Sequence, residues 1–255
     1  MKYFLLTKRS LVSIAFCGII GAMAAVMAIS STVKAVQTAA APKEVPIYRV
    51  QSDKNQVAIS FDAAWGDEQT EDLLDILDKY KVKATFFLVG DWVDNFPDDV
   101  KEIAARGHDI GNHSNTHPHM PQLSTGEETA EIQKCNEKIE ALTGTPPTLF
   151  RAPYGDYNND VVNTVKSLGM YCVQWDVDSL DWKDPSPDQM CSNVVSKVQD
   201  GSIVLMHNGA KNTPAALPSI IEGIQDKGFD IVLIKDLIPE GEYYTDVQGE
   251  FHLSN

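Results

Sequence analysis

Short apolar segments rich in β-branched and aromatic residues alternate with longer segments of helical periodicity along most of this chain. Several of the helical segments end at a glycine, a common helix C-terminus. Strands that alternate with helices predict parallel β/α units, and six units in one α/β domain favour a barrel over an open sheet. The predicted strands are 57–61, 84–89, 148–150, 171–175, 202–206 and 231–233, and the predicted helices are 68–80, 97–106, 125–142, 159–168, 186–198 and 216–227.

Five short polar clusters interrupt this pattern, each where an apolar strand is predicted to end. In β/α barrels the C-terminal ends of the strands carry the chemistry. We therefore expect a carboxylate, several imidazoles and an arginine to meet at one rim, which is the inventory of a metal-assisted hydrolase. The clusters are Ser60–Asp62, His113–His117, Arg151–Gly155, Asp178–Trp182 and Leu205–His207.

His113 and His117 are the candidate metal ligands. Imidazoles four residues apart commonly supply two nitrogen ligands to Zn²⁺ or a related ion, although the spacing alone is a weak signal. Asp62 follows an apolar run, where a carboxylate is costly to bury unless it is paired or lies at the rim. It is interpreted as a metal ligand or a general base, with helix capping as the structural alternative.

The remaining clusters supply groups for substrate and proton transfer. Pro153 stiffens the loop that presents Arg151 and the backbone N–H of Tyr154, and a rigid N–H beside a metal can stabilise an oxyanion. His207 titrates near neutral pH and is suited to protonate a leaving amine. Ordinary structural roles at a turn or strand end are the alternative for each of them.

Asp178 and Asp181 are candidates to anchor the Arg151 guanidinium. Trp182, next to the second of these carboxylates, offers an apolar wall on which a sugar face can stack.

Four regions are predicted along the chain. Residues 1–35 form a signal peptide or an N-terminal membrane anchor, because basic residues precede an apolar run of 19 residues. Residues 36–47 form a linker, 48–238 the catalytic domain and 239–255 a tail that we expect to be a surface extension. The domain is therefore expected outside the cytoplasm, secreted or tethered, with membrane contact only through its N-terminal segment.

Charge narrows the range of partners. Residues 1–35 carry four of the 21 basic side chains and no acid, so 17 basic and 36 acidic side chains remain, a formal net charge of −19. Such a surface repels polyanions, which argues against nucleic acid and favours a neutral polymer. Cys135, Cys172 and Cys191 have irregular spacing and predict neither a zinc ribbon nor a disulfide framework.

The five clusters resemble the motifs of the polysaccharide deacetylases of the NodB-homology type, carbohydrate esterase family four. That family carries a TFDDG-like block, H[ST]xxH, RxPYG, DxxDW and LxH in this order, and this chain has SFDAAWG, HSNTH, RAPYG, DSLDW and LMH. The resemblance covers roughly residues 48–238 and is nearest to the PdaB-type sporulation subgroup. It implies a distorted (β/α)7–8 barrel.

The resemblance also implies a reaction, the hydrolysis of N-acetyl groups on a hexosamine polymer. Asp62 would be the general base and His207 the general acid. His113 and His117 would bind a divalent metal, expected to be Zn²⁺ with Co²⁺ or Ni²⁺ as alternatives.

Four further positions receive supporting roles from the same resemblance. Arg151 and Asp181 would tune and orient the base, the Tyr154 amide would bind the oxyanion, and Trp182 would line the acyl pocket. One position departs from the family: Ala63 stands where the third metal ligand, an Asp, is usual. A methyl group cannot coordinate a metal, and catalytic zinc sites generally use three protein ligands.

These observations lead to one main hypothesis and two alternatives. The main hypothesis is a monomeric, metal-dependent deacetylase of an N-acetylated glycan polymer, cell-wall peptidoglycan or, second, chitin-like oligomers. Ala63 motivates the first alternative, a weakly active or non-catalytic glycan-binding relative. The second alternative is an amidohydrolase of small non-sugar amides.

Overall fold

The computed structural model describes residues 43–254. The predicted leader, 1–35, and most of the predicted linker, 36–47, lie outside the described residues. Within 43–254, none of the helices is both long enough and apolar enough to cross a bilayer.

A curled parallel sheet forms the centre of the domain. Its strands are β2 (Gln56–Ala63), β3 (Thr85–Leu88), β4 (Asp109–Asn112), β5 (Leu149–Phe150), β6 (Tyr171–Cys172), β7 (Val177–Asp178), β8 (Ile203–His207) and β9 (Asp230–Val232). They lie in the order β6-β5-β4-β3-β2-β8-β7, with β9 also paired to β2. This arrangement confirms the predicted distorted barrel.

The sheet ends at β6 and β7, and the chain just before β2 covers the side between them. Ile47 bridges to Val173 and donates its N–H to the carbonyl of Cys172, while the N–H of Val50 is bonded to Gly201. The N-terminal part of the described chain is therefore built into the barrel wall.

The predicted helices are all observed, within three residues at each end. Eight α-helices are described: α1 (Thr70–Tyr80), α2 (Gly90–Asn95), α3 (Pro97–Ala105), α4 (Thr125–Thr143), α5 (Asn159–Ser167), α6 (Pro187–Val195), α7 (Thr213–Asp226) and α8 (Ile234–Leu237). Ser124 and Glu127 form a capping box at the start of α4, and Gly144 ends it with φ 71°.

Strand β4 was not predicted, because its sequence Asp-Ile-Gly-Asn lacks an apolar run. Tertiary contact explains why a glycine lies in it: a Cβ added to Gly111 would lie 2.5 Å from the ring of Phe87 on β3. This strand matters for the site, since His113 follows it directly.

The central strand β2 has two chemically different faces. Ile59 and Phe61 belong to a fully buried cluster that the sheet shares with the surrounding helices. Ser60 and Asp62 alternate with them and face the barrel interior, as the two-residue period of a strand requires. Burial of the apolar face thus fixes where the Asp62 carboxylate points.

The C-terminal segment differs from the surface extension expected over 239–255. Two strands, β10 (Tyr243–Thr245) and β11 (Glu250–Leu253), form an antiparallel hairpin, and β11 pairs in parallel with β1 (Arg49–Val50). Phe251 is 1% exposed and packs in a cluster with Ile47 and Val50. The segment is short and mostly polar, so its order comes from this contact with the distant N-terminal strand.

Candidate active site

Asp62 and Arg151 form a buried ion pair at the centre of the candidate site. Nη1 of Arg151 lies 2.7 Å from Oδ1 of Asp62, and Nη2 donates to Oγ of Ser60 and to the carbonyl of Gln174. The guanidinium also lies 4.0 Å from the centre of the Phe87 ring. Arg151 is therefore held from several sides and fixes one oxygen of the carboxylate.

This pair keeps Asp62 ionised. Burial is the largest single effect on the Asp62 pKa and raises it, but the combined attraction of Arg151, His113 and His207 places the pKa below its usual range. Oδ1 is taken by Arg151 while Oδ2 lies beside His113, so the ionised carboxylate has an oxygen with which to act as a base.

His113 lies beside the free edge of this carboxylate. Its Nδ1 is 2.8 Å from the backbone carbonyl of Arg151, so Nδ1 carries the proton and donates it to that oxygen. Nε2 then has a lone pair, and it lies 3.5 Å from Oδ2 of Asp62. Burial lowers the pKa of His113, which keeps the imidazole neutral and able to bind a metal.

His117 is brought to the same place by a loop, not by a helical turn. Ser114 and His117 have φ of 67° and 60°, and the His117 N–H is bonded to Oγ of Ser114. The two imidazole rings meet edge to face with centres 4.9 Å apart. Burial, with His113 as the next cause, lowers the pKa of His117 to about 4.

Glu131 on α4 holds this loop in place. Its carboxylate accepts the backbone N–H groups of Asn115 and Thr116 and the hydroxyl of Thr116. The sequence did not point to this residue, because nothing in a helical segment marks one glutamate as the partner of loop residues 15 and 16 positions before it.

The donor set at this site fits a divalent cation in part. Both imidazoles are neutral near pH 7, and Asp62 is the nearest carboxylate. The third ligand that the family resemblance implies is missing, because position 63 is an alanine, and its methyl group is wholly buried within the apolar cluster that includes Phe61.

The positions of the donor atoms in the described residues also show that a third metal ligand is missing. Among residues 43–254, the three His and carboxylate side chains whose donor atoms all lie within 4.8 Å of one another are Asp246, Glu250 and His252, on the C-terminal hairpin. The two imidazoles of the candidate site therefore have no complete three-donor group around them.

His207 and Asp181 form a second pair. Oδ1 of Asp181 lies 2.7 Å from Nδ1 of His207, and Oδ2 accepts the His207 backbone N–H and the hydroxyl of Thr213. Burial acts to lower the pKa of His207, but the hydrogen bond and charge of Asp181 outweigh it and the pKa is raised. The ring therefore favours its protonated form, as a general acid requires.

Asp181 differs in one respect from its expected role. The family resemblance implied that it would orient Asp62, and the sequence analysis also considered it as a partner of Arg151. Asp181 contacts His207 instead, because His207 at the end of β8 lies next to it. The guanidinium of Arg151 is already paired with Asp62. Asp178 accepts the backbone N–H of Leu180 and does not contact Arg151.

Tyr154 lies at the rim with a backbone φ of 60° and a side chain 60% exposed. Its ring packs against His117, with centres 4.5 Å apart, and stacks on His119 at 4.3 Å. The left-handed backbone is unusual for a tyrosine, and the rigid turn that Pro153 begins accommodates it.

These groups surround one cavity of about 390 Å³. Asp62, His113, His117 and His207 lie on its walls, and the predicted site residues Trp182 and Tyr154 lie at its rim. Arg151 and Asp181 are buried behind the wall, at 0% and 1% exposure, and position the residues that line it. The lining residues are Asp62, Trp65, His113, His117, Tyr154, Gly155, Trp175, Asp178, Trp182, Leu205 and His207.

Comparison with known proteins identifies the family. Residues 49–173 match the family model for polysaccharide deacetylase. A peptidoglycan-N-acetylglucosamine deacetylase of Bacillus cereus is 35% identical over 189 residues, which are 72% of this chain and 69% of that protein. The chain belongs to the polysaccharide deacetylase family. This membership confirms the resemblance drawn from the five motifs.

The chain spans only part of two relatives from Bacillus subtilis. YlxY is 40% identical over 195 residues, 76% of this chain and 61% of that protein. The peptidoglycan-N-acetylmuramic acid deacetylase PdaC is 34% identical over 77% of this chain and 41% of its own length.

Solved structures agree with the fold and divide on activity. The Bc1960 peptidoglycan N-acetylglucosamine deacetylase matches with a TM-score of 0.73 at 34% identity, over 75% of this chain and 91% of that one. BA3943 of Bacillus anthracis, described as a CE4 family pseudoenzyme, has the same TM-score at 38% identity, over 75% and 68%. A BA3943 mutant described as having restored enzymatic activity matches at 40% identity, over 75% and 70%.

Proposed function

We propose that this polysaccharide deacetylase family member hydrolyses N-acetyl groups on the amino sugars of peptidoglycan and releases acetate. One observation carries the proposal: a carboxylate and an imidazole, each held by its own buried partner, face the same cavity. The partners are Arg151 for Asp62 and Asp181 for His207. Relatives named as peptidoglycan deacetylases support the choice of substrate.

The residues divide the reaction between two proton transfers. Oδ2 of Asp62 accepts a proton from the water that attacks the acetamide carbonyl. His207 donates its Nε2 proton to the departing sugar nitrogen, since its Nδ1 is held by Asp181. The amine and acetate then leave the cavity.

Nε2 of His113 and the imidazole of His117 are the groups that would hold a divalent cation, Zn²⁺ by preference. When bound, the cation supplies Lewis-acid polarisation of the amide carbonyl. The Tyr154 amide would assist the developing oxyanion from the rim. Trp182 would pack against the acetyl methyl group.

The predicted leader supports action outside the cytoplasm, on the cell wall, by a protein that is secreted or tethered. The PdaB-type motif block, with its Ala63, supports a role in sporulation. Both are proposals that rest on the sequence.

The test is acetate release from purified peptidoglycan and from N-acetylchitotetraose, with added Zn²⁺, Co²⁺ or Ni²⁺. We expect release that depends on metal and is lost in Asp62→Asn. An active Asp62→Asn variant would contradict the role of this carboxylate as the base.

A second function has a specific observation in its favour. Ala63 removes the third metal ligand, and a relative of the same fold is described as a pseudoenzyme. A non-catalytic glycan-binding protein would bind N-acetylchitotetraose and release no acetate under any metal.

Ala63→Asp separates the two functions. A carboxylate buried at this position is costly unless a cation neutralises it, so we expect Zn²⁺ to raise the unfolding temperature of Ala63→Asp more than that of the wild type. Metal content per chain and acetate release are measured on the same samples, with Ala64→Asp as the neighbouring control. An inactive wild type together with an active Ala63→Asp would assign the glycan-binding function to the natural chain.

A further inference from the structure

Large apolar side chains that are exposed gather around the cavity. Among the described residues six such side chains are exposed, and three of them line this one site: Trp65 (48%), Tyr154 (60%) and Trp182 (54%). Exposed aromatic groups that cluster at a cavity mark a binding surface. Tyr154 and Trp182 lie in motifs that the whole family shares, whereas Trp65 lies in the variant SFDAAWG block and has no assigned role.

The Trp65 ring is stacked on the proposed general acid. Its centre lies 5.3 Å from that of the His207 imidazole, with 29° between the planes. Gly209 makes this approach possible, because a Cβ added there would lie 2.5 Å from the Trp65 carbonyl oxygen and 2.7 Å from its indole nitrogen. One face of the indole therefore covers His207, and the exposed half of the side chain borders the cavity.

Buried donors fix the loop that carries Trp65. The carbonyl of Gly66 accepts from Nε1 of Trp92 at 2.7 Å and from Nδ2 of Asn208 at 3.2 Å. Trp92 and Asn208 are each 1% exposed, and Asn208 also donates to the hydroxyl of Thr70. Because these contacts leave the loop little freedom, the indole is pre-organised for a ligand.

An indole with one open face selects a particular ligand chemistry. It is large, flat and uncharged, and it offers an apolar surface to the C–H face of a pyranose ring. The formal net charge of −19 beyond residue 35 disfavours anionic ligands, so a neutral sugar is the better match.

We propose that Trp65 is the stacking platform of a sugar-binding subsite: the face of its indole turned away from His207 holds one N-acetylated hexosamine ring of the polymer, so that the acetamide nitrogen of the neighbouring ring meets His207. This inference rests on the proposed glycan substrate and adds the residue that places the substrate against its proton donor. Trp65 is a positioning residue in this proposal: it raises the affinity for the glycan and takes no part in the proton transfers.

The test measures binding of N-acetylchitotetraose by isothermal titration calorimetry. Trp65→Ala is expected to weaken the Kd at least about tenfold, which corresponds to about 1.4 kcal/mol. Trp65→Phe keeps a flat ring and is expected to stay within about threefold of the wild type, whereas Trp65→Leu keeps apolar volume without a flat face and should resemble the Ala variant.

Tyr244→Ala is the matched control. Tyr244 is 55% exposed and also stacks on a histidine, His252, with centres 5.0 Å apart, but it lies on the C-terminal hairpin. Its loss should leave the Kd unchanged. Equal affinities of Trp65→Ala and Tyr244→Ala, equal affinities of the Leu and Phe variants, or no binding by the wild type would each overturn the proposal.

Acetate release in the same samples separates this proposal from the proposed function. If the wild type releases no acetate but Trp65→Ala binds the glycan more weakly than the wild type, the subsite stands and the deacetylase function is refuted. If the wild type and Trp65→Ala both release acetate with the same KM, the deacetylase function stands and the subsite is refuted.

Discussion

At the scale of single residues, the protonation of His207 is decided by two opposing effects. Burial lowers its pKa, whereas the hydrogen bond and charge of Asp181 raise it, and Asp62 and Asp178 add to the increase. The pKa of His207 in the folded protein is therefore above the ordinary value of about 6.5.

Replacing Asp181 with Asn should reverse this balance. The burial of the ring remains while its main partner is lost, so we expect the His207 pKa to fall below about 6.5. The measurement is a pH titration of the His207 ring signals by NMR. Asp178→Asn, which removes the weakest of the cited contributors, should lower the pKa less, and an Asp181→Asn variant with an unchanged titration would contradict the pairing.

The same pair makes a prediction about stability and pH. Because the folded pKa is raised, the contribution of His207 to stability is fully present below about pH 6.5 and is lost as the pH rises through the folded pKa. Asp181→Asn should therefore cost more stability at pH 5.5 than at pH 9, as measured by urea unfolding. An equal cost at both pH values would show that the pair does not stabilise the fold through protonation.

At the scale of elements, the histidine loop depends on helix α4. Glu131 accepts three hydrogen bonds from Asn115 and Thr116, and this contact places His117 beside His113. Hydrogen bonds that support a ligand-bearing loop commonly contribute to metal affinity without touching the metal.

Glu131→Gln should weaken metal binding. An amide is uncharged and has one acceptor oxygen in place of two, so it holds the two backbone N–H groups and the Thr116 hydroxyl less strongly than the carboxylate does. We expect a loss of roughly tenfold to a hundredfold in Zn²⁺ affinity, measured by competition with a chromophoric chelator. Glu137→Gln, an exposed position on the same helix, is the control, and an equal affinity in the two variants would remove Glu131 from the site.

At the scale of the whole molecule, the C-terminal hairpin stabilises the wall of the barrel. Phe251 pairs with Val50 in register and stacks on Tyr243, with ring centres 4.8 Å apart. Val50 in turn is bonded to Gly201, directly before β8. The two ends of the described chain thus meet at the side of the sheet that strand pairing leaves open.

Phe251→Ala should destabilise the fold by about 3–5 kcal/mol, because it leaves a cavity in the cluster with Ile47 and Val50. Val247, at the hairpin tip and 83% exposed, is the control, and Val247→Ala should change stability by less than about 0.5 kcal/mol. The measurement is the free energy of unfolding of both variants in urea. Similar values for the two variants would restore the interpretation of this segment as a surface extension.

The sequence alone predicted six of the eight described helices, six of the eight strands of the central sheet and the candidate residues at the ends of strands. These features are local: apolar periodicity, glycines at helix ends and short motifs all act within a few residues of each other. The same local pattern predicted that Asp62, His113, His117, Arg151 and His207 would meet, because the C-terminal ends of parallel strands lie at one edge.

Only the tertiary structure decided which partner each group has. It paired Asp181 with His207, assigned Glu131 to the histidine loop, stacked Trp65 on His207 and built the tail into the barrel wall. These contacts join residues between 15 and 201 positions apart. Their energies depend on distance and burial in the folded chain, and local periodicity carries no information about either.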